Sequence, residues 1–327
     1  MTNTNNTEKA LPRLKNTGFV RGIFVDADVK FGQKSANNKV FAQGWIKIKV
    51  GESIHQIRVF QMKMMKDFKT KEDTLNKNYT ALDTFLTKHK SIADVNTKLD
   101  NLMSTGLTQE QSQAELDKDG FKPAIVEAAV ELGVYDALND EGEFDKQYRN
   151  LQARWVRSAK DQTAEHQATF TLEAVFLGSR LETKYVDGEE QETGRTIASV
   201  YLLDDYRNFA KKTEVVVRPA IDGDDIFVAQ DYFDSDFEQG QVFQIMGTIE
   251  DSKIETVTEI AIGFGKKQQK VETQFVNEWA VDSVSEPFTA EMYEIVPEAL
   301  VEAQKNYIAD CQTRHAEKKS KGNQGAG

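Results

Sequence analysis

Cysteine occurs once, as Cys311. That excludes an internal disulfide and a zinc site built on thiolates, and it fits a reducing compartment. On a stretch that reads as helix, the expected role of Cys311 is that of a small buried hydrophobe. The four histidines, His55, His89, His166 and His315, are scattered without metal-ligand spacing. No apolar run approaches the roughly 20 residues that a membrane helix needs. The N-terminal stretch MTNTNNTEKALPRLK lacks the apolar core of a signal peptide, so a cytoplasmic chain that avoids membranes is expected. GFGKKQQK, from Gly263, lacks the spacing of a phosphate loop. Its Lys266, Lys267 and Lys270 read as a basic hairpin tip. Two acidic clusters remain, Asp222, Asp224 and Asp225, and then Asp231, Asp234, Asp236 and Glu238. In the second, Gly240 stands one place late for a calcium loop and no glutamate closes it, so both read as loops between strands. The expectation is a protein without catalytic residues, cofactor or metal.

Net positive charge is also lacking: the formal charge is −12. Phosphate binding draws on cations that displace counterions, so the sum argues against a polyanionic partner. The distribution reverses that reading. Residues 1–63 hold 11 Lys+Arg against 4 Asp+Glu, while residues 64–327 hold 30 against 49. An acidic remainder keeps a chain soluble while one basic surface still binds.

The basic part contains KVFAQGWIKIKVGESIHQIRVF, residues 39–60. Side chains alternate between faces along a strand. Val40, Ala42, Gly44, Ile46, Ile48 and Val50 make one face aliphatic; Lys39, Phe41, Gln43, Trp45, Lys47 and Lys49 make the other aromatic and cationic. After the Gly51–Ser53 turn, Arg58 and Phe60 extend that second face. A ring offers a stacking platform to any nucleobase, worth roughly 1–3 kcal/mol per base, and a cation beside it meets the backbone. The competing interpretation is a sheet buried on both faces with lysine stems snorkelling at its edge.

Along the chain, residues 1–16 read as a flexible arm. Residues 17–75 form a first β region, beginning with a long strand in which Phe19, Ile23, Val25, Ala27, Val29 and Phe31 share one register. Gln61 to Thr74, with Lys63, Lys66, Lys69 and Lys71, reads as a mobile loop. Residues 76–160 are expected to be a helical insertion, on the spacing of Tyr79, Leu82, Phe85, Leu86, Ile92, Val95, Leu99 and Leu102 and on Pro123 before AIVEAAVELGVYDAL. Its aromatics, Phe85, Phe121 and Tyr135, read as core. A second β region spans residues 161–288, with Phe170, Leu172, Ala174 and Phe176 on one face and Thr196, Ala198, Val200 and Leu202 on another. A helix follows within residues 289–318, and residues 319–327 read as a disordered tail. The order of strands in the second region loosely echoes the first, without a residue-level repeat.

Meandering strands with a lysine-aromatic face and a helical insertion predict a mainly β fold. The expected architecture is one or two Greek-key barrels of the oligonucleotide-binding (OB) type, a helical subdomain and a C-terminal helix. The motifs FVRGIFVDADVKFG, KVFAQGWIKIKVG and IHQIRVF, within residues 18–60, resemble the single-stranded-DNA-binding proteins of tailed bacteriophages. That resemblance implies a protein that coats single-stranded DNA without sequence preference during replication or recombination, alongside proteins of those processes. It implies stacking by Phe41, Trp45 and Phe60 and phosphate contacts by Lys39, Lys47, Lys49 and Arg58, with Arg195, Tyr201 and Arg207 as candidates in the second region. Family members often end in an acidic tail, whereas this chain ends in lysines and glycines, so no partner-docking role carries over to its C-terminus. A phage structural or assembly protein, with Phe41 and Trp45 as interface anchors, is the alternative from another class.

Overall fold

A computed structural model of the chain describes residues 11–323, except 68, 187, 223, 224, 228, 264, 265, 290 and 294. Three strands open it: β1 (Asn16–Lys34), β2 (Val40–Val50) and β3 (Ser53–Met62). A short ribbon follows, β4 (Met64–Lys66) with β5 (Asp73–Leu75), and then three helices, α1 (Lys77–Lys88), α2 (Ile92–Ser104) and α3 (Gln109–Lys118). Strands β6 (Ile125–Leu138) and β7 (Phe144–Ser158) complete the first half. The second half contains β8 (Gln167–Val186), β9 (Glu189–Asp204), β10 (Phe209–Val217), the short pair β11 (Ala220–Asp222) and β12 (Asp225–Phe227), α4 (Ala229–Asp236), β13 (Val242–Gly263), β14 (Lys266–Val284) and α5 (Pro297–Asn323).

Strand pairing defines the architecture. In the first half, β1 pairs with β2, β2 with β3, β3 in parallel with β7, β7 with β6, and β6 returns to β1. In the second, β8 pairs with β9, β9 with β10, β10 in parallel with β14, β14 with β13, and β13 returns to β8. Each circuit is a five-stranded Greek-key barrel of the OB type. Both place helix between the third and fourth strands. The two barrels share one ten-stranded sheet because β1 also pairs antiparallel with β8, from Asn16 opposite Leu172 to Arg21 opposite Gln167.

The helices close the barrels from the apolar side. On α1, Tyr79, Leu82 and Phe85 are buried, and Phe85 lies 5.0 Å from the ring of Phe24. On α4, Phe233 stacks 5.5 Å from Phe176, within a cluster that includes Phe237 and Phe243. Caps set the helix starts: Asn76 accepts from the Asn78 amide, and Ser91 with Asp94 and Thr108 with Gln111 form capping boxes.

The structure corrects several expectations. AIVEAAVELGVYDAL is strand β6, not helix, and the insertion ends at α3. Val126, Ala128, Val130, Leu132 and Val134 are buried at a period of two. Helix-forming alanine, glutamate and leucine disguised this pattern, and pairing with β1 and β7 overrides their propensity. Along β1, Val20 and Phe24 point inward rather than Phe19 and Ile23. A register shift between Phe24 and Asp26 then turns Ala27, Val29 and Phe31 to the core. In the arm, residues 1–10 lie outside the described residues, but Leu11 is buried and Leu14 packs beside it. The acidic stretch from Asp231 to Asp236 belongs to α4. α5 continues to Asn323, past the expected end at Lys318, and 324–327 lie outside the described residues.

Candidate nucleic-acid interface

The β2–β3 pair forms because both strands have an inner face that can be buried. Ala42, Ile46, Ile48, Ile57 and Val59 fill the first barrel. Gly51, at φ +56°, makes the tight turn between Val50 and Ser53 in a conformation that a side chain would disfavour. Gly44 lets β1 approach β2, since a Cβ there would run into the Asp28 carbonyl.

The outer face presents the residues singled out in the sequence. Phe41, Gln43, Trp45, Lys47 and Lys49 on β2 stand opposite Met62, Phe60, Arg58, Gln56 and Ile54 on β3. The rings of Phe41 and Phe60 are 5.1 Å apart and tilted by 38°, and Phe60 is 47% exposed. Lys47 Nζ lies 4.6 Å over Trp45. Arg58, exposed beside Trp45, has no carboxylate partner among the described residues. Lys49 meets only the exposed Glu52, at 3.9 Å, a pair of little energetic weight. Lys39 is exposed at the turn into β2.

Charge is mixed on the β1 side, where Asp28 lies opposite Trp45, Asp26 opposite Lys47 and Lys30 opposite Gln43. On the other side, Arg58 of β3 faces Gln152 of β7. Beyond β7, the β6–β7 hairpin carries a second aromatic and cationic group. Phe144 and Tyr148 are exposed, Tyr135 lies 6.4 Å from Tyr148, and Lys146 Nζ lies 4.9 Å over Tyr148. Contact with the Tyr148 hydroxyl raises the Lys146 pKa above its usual range. The sequence hides these residues because helix-forming residue types fill β6, the strand that pairs with β7. The alternation of Phe144, Lys146 and Tyr148 after the Asn139–Gly142 turn was the available signal.

The expected loop after Phe60 is partly the β4–β5 ribbon. Asp67 accepts the Lys69 and Thr70 amides at 2.8 Å each, which depresses its carboxyl pKa. Met64, Met65 and Leu75 are exposed on it.

The second-region candidates are not brought to this surface as one set. Arg195 is engaged by Glu182 at 3.4 Å and by Glu278. Tyr201 packs against the cluster of Leu11, Val175, Leu300 and Ala303, and burial raises its hydroxyl pKa. Arg207 lies on the β9–β10 turn, 4.0 Å from Asp204 and next to the fully displayed Tyr206. The outer side of the second barrel is thus partly covered by the N-terminal segment and α5.

A polar joint holds the barrels together. Arg149 donates to the backbone carbonyls of Glu214, at 2.7 Å, and Asn277, and its guanidinium lies 5.5 Å over Trp279. Gln147 accepts from Thr213 and donates to the Lys212 carbonyl, both at 2.7 Å. Among the described residues, no three His, Cys, Asp or Glu side chains are grouped to hold a metal ion. No helix among them is long and apolar enough to cross a membrane.

Comparison with known proteins gives distant structural likenesses and one family. A deletion variant of the single-stranded DNA binding protein from Thermus aquaticus is 10% identical, with 88% of this chain and 98% of that chain covered at a TM-score of 0.42. The wild-type form of that protein is 9% identical, with 85% and 95% covered at 0.41. A replication protein A heterotrimer bound to ssDNA is 6% identical, with 88% and 51% covered at 0.21. Likenesses this distant transfer no residue role. No curated protein matches the sequence. The YorF family model matches residues 15–323, nearly the whole length, and the chain belongs to the YorF family.

Proposed function

We propose that this protein binds single-stranded DNA without sequence preference, on the outer β2–β3 face of its first barrel, and acts non-enzymatically in phage DNA replication or recombination in the host cytoplasm. The observation that carries this reading is the grouping of one exposed ring, Phe60, and two half-buried ones, Phe41 and Trp45, with cations that make at most one weak ion pair, on the strands that OB barrels use for oligonucleotides. Phe41, Trp45 and Phe60 supply stacking platforms, and Lys39, Lys47, Lys49 and Arg58 meet the backbone. Because every base has a face, such a surface is tolerant of sequence. Phe144 and Tyr148 on the β6–β7 hairpin extend the platform, and Arg207 lines a recess with Asn150, Gln152 and Arg154 of β7.

Fluorescence titration with oligothymidine at low and high salt tests the proposal. Binding is expected to be tight at low salt, to weaken as salt rises, and to lose roughly 1–3 kcal/mol in Trp45→Ala. A folded protein that fails to bind at low salt would make the same face a protein interface, as in an assembly protein.

A further inference from the structure

α5 begins on the second barrel and ends on the first. Near its start, Leu300 and Ala303 are buried with Leu11 and Val175. Tyr307, also buried, accepts a hydrogen bond from the Asp136 amide on β6 at 3.2 Å. Two turns later the contacts become cationic. The Arg314 guanidinium lies 4.7 Å over the Tyr135 ring, Lys318 donates to the Tyr135 hydroxyl at 3.0 Å, and Lys319 donates to the Asp140 carbonyl. Arg58, from the face described above, lines the same recess of about 330 Å³ with Tyr135, Arg314, Glu317 and Lys318.

Cations from two distant stretches of sequence therefore converge around one tyrosine. Asp310 neutralises Arg314 at 2.8 Å, and Glu317 is the one carboxylate in the lining. Neither Lys318 nor Arg58 has a carboxylate within ion-pairing distance among the described residues. The basic end of a helix interacts favourably with its own dipole, which explains cations there but not the arrival of Arg58. An exposed recess with surplus positive charge beside a stacking surface has the chemistry of a phosphodiester seat.

We propose that Arg58, Arg314 and Lys318 hold a backbone phosphate of a single strand leaving the β2–β3 face over β7. α5, although anchored on the second barrel, then completes the interface of the first. This inference rests on the single-strand reading above.

The test is the salt dependence of oligothymidine binding for wild type, Lys318→Gln, Lys318→Glu and Trp45→Ala. Lys318 is exposed, so its variants should melt as wild type does. Lys318→Gln is expected to flatten the slope of log affinity against log salt by about 0.7, with a larger loss of affinity in Lys318→Glu. Trp45→Ala should lower affinity with its slope unchanged. If Trp45→Ala weakens binding while both Lys318 variants keep the wild-type affinity and slope, α5 is only a structural latch and the phosphate seat is wrong. Absence of wild-type binding at low salt overturns the single-strand reading and this inference together.

Discussion

Phe41 and Phe60 meet across the β2–β3 pair with ring centroids 5.1 Å apart, and the contact joins a half-buried ring to a largely exposed one. Their burial separates two effects of truncation. Phe60→Ala removes little packing, so the melting temperature should change little while oligothymidine affinity falls by roughly 1–3 kcal/mol. Phe41→Ala should cost both affinity and stability. Melting curves and titrations of the two variants check this, and an unchanged affinity in Phe60→Ala would remove the ring from the binding surface.

Arg58 and Arg195 make an opposed pair of predictions. Arg58 is exposed and free of carboxylates among the described residues, so Arg58→Gln should weaken binding and flatten its salt dependence by about 0.7–1, with melting unaffected. Arg195 is 30% exposed at the side chain and tied to Glu182 and to Glu278, itself only 14% exposed. Arg195→Met leaves Glu278 with Arg218 alone, at 3.6 Å, and Glu182 with the Thr193 hydroxyl, at 2.8 Å, and should destabilise the second barrel, leaving DNA affinity per folded molecule unchanged. The reverse outcome would move the interface to the second barrel.

Much of this was legible because burial follows alternation. Ala42, Ile46 and Ile48 faced inward as the pattern of β2 required, and so did Phe170, Leu172, Ala174 and Phe176 on β8. Three features were not legible for physical reasons. A bulge inverts the parity of β1 within one residue, which no fixed period can follow. The β6 segment combines strand spacing with helix-forming residue types, and long-range pairing decides between them. The convergence of α5 on Tyr135 joins residues 179 and 183 positions apart, Arg314 and Lys318, to one ring, and local patterns carry no such information. The likeness of the two barrels showed in the sequence only as a loose echo of strand order, because the helix position holds α1, α2 and α3 in the first and the single short α4 in the second.

Gly44 tests the approach of β1 to β2 directly. An added Cβ would strike the Asp28 backbone carbonyl, which cannot swing aside as a side chain could. Gly44→Ala is therefore expected to cost about 1–3 kcal/mol in denaturant unfolding, and to weaken oligothymidine binding because Trp45 is the next residue. An unchanged unfolding midpoint would contradict the close β1–β2 register.

His55 gives a prediction in pH. It is 1% exposed on β3, neither ring nitrogen has a hydrogen-bond partner, and it lines the crevice between barrels with Arg149, Glu250, Asp251 and Trp279. Burial lowers its pKa from 6.5 to about 4. The unfolded chain then binds more protons than the folded one between those values, so stability is lost as pH falls from about 6.5 through about 4. The full loss below that window is on the order of 3 kcal/mol. The neighbouring Asp251 carboxyl, which burial pushes up, is present in wild type and variant alike, so the difference between them isolates the histidine. His55→Leu discards no hydrogen bond and should melt with a shallower dependence on pH across this window. If the two proteins lose stability in parallel from neutral pH to pH 4, the imidazole is solvated or paired in solution, and the crevice between the barrels opens to water.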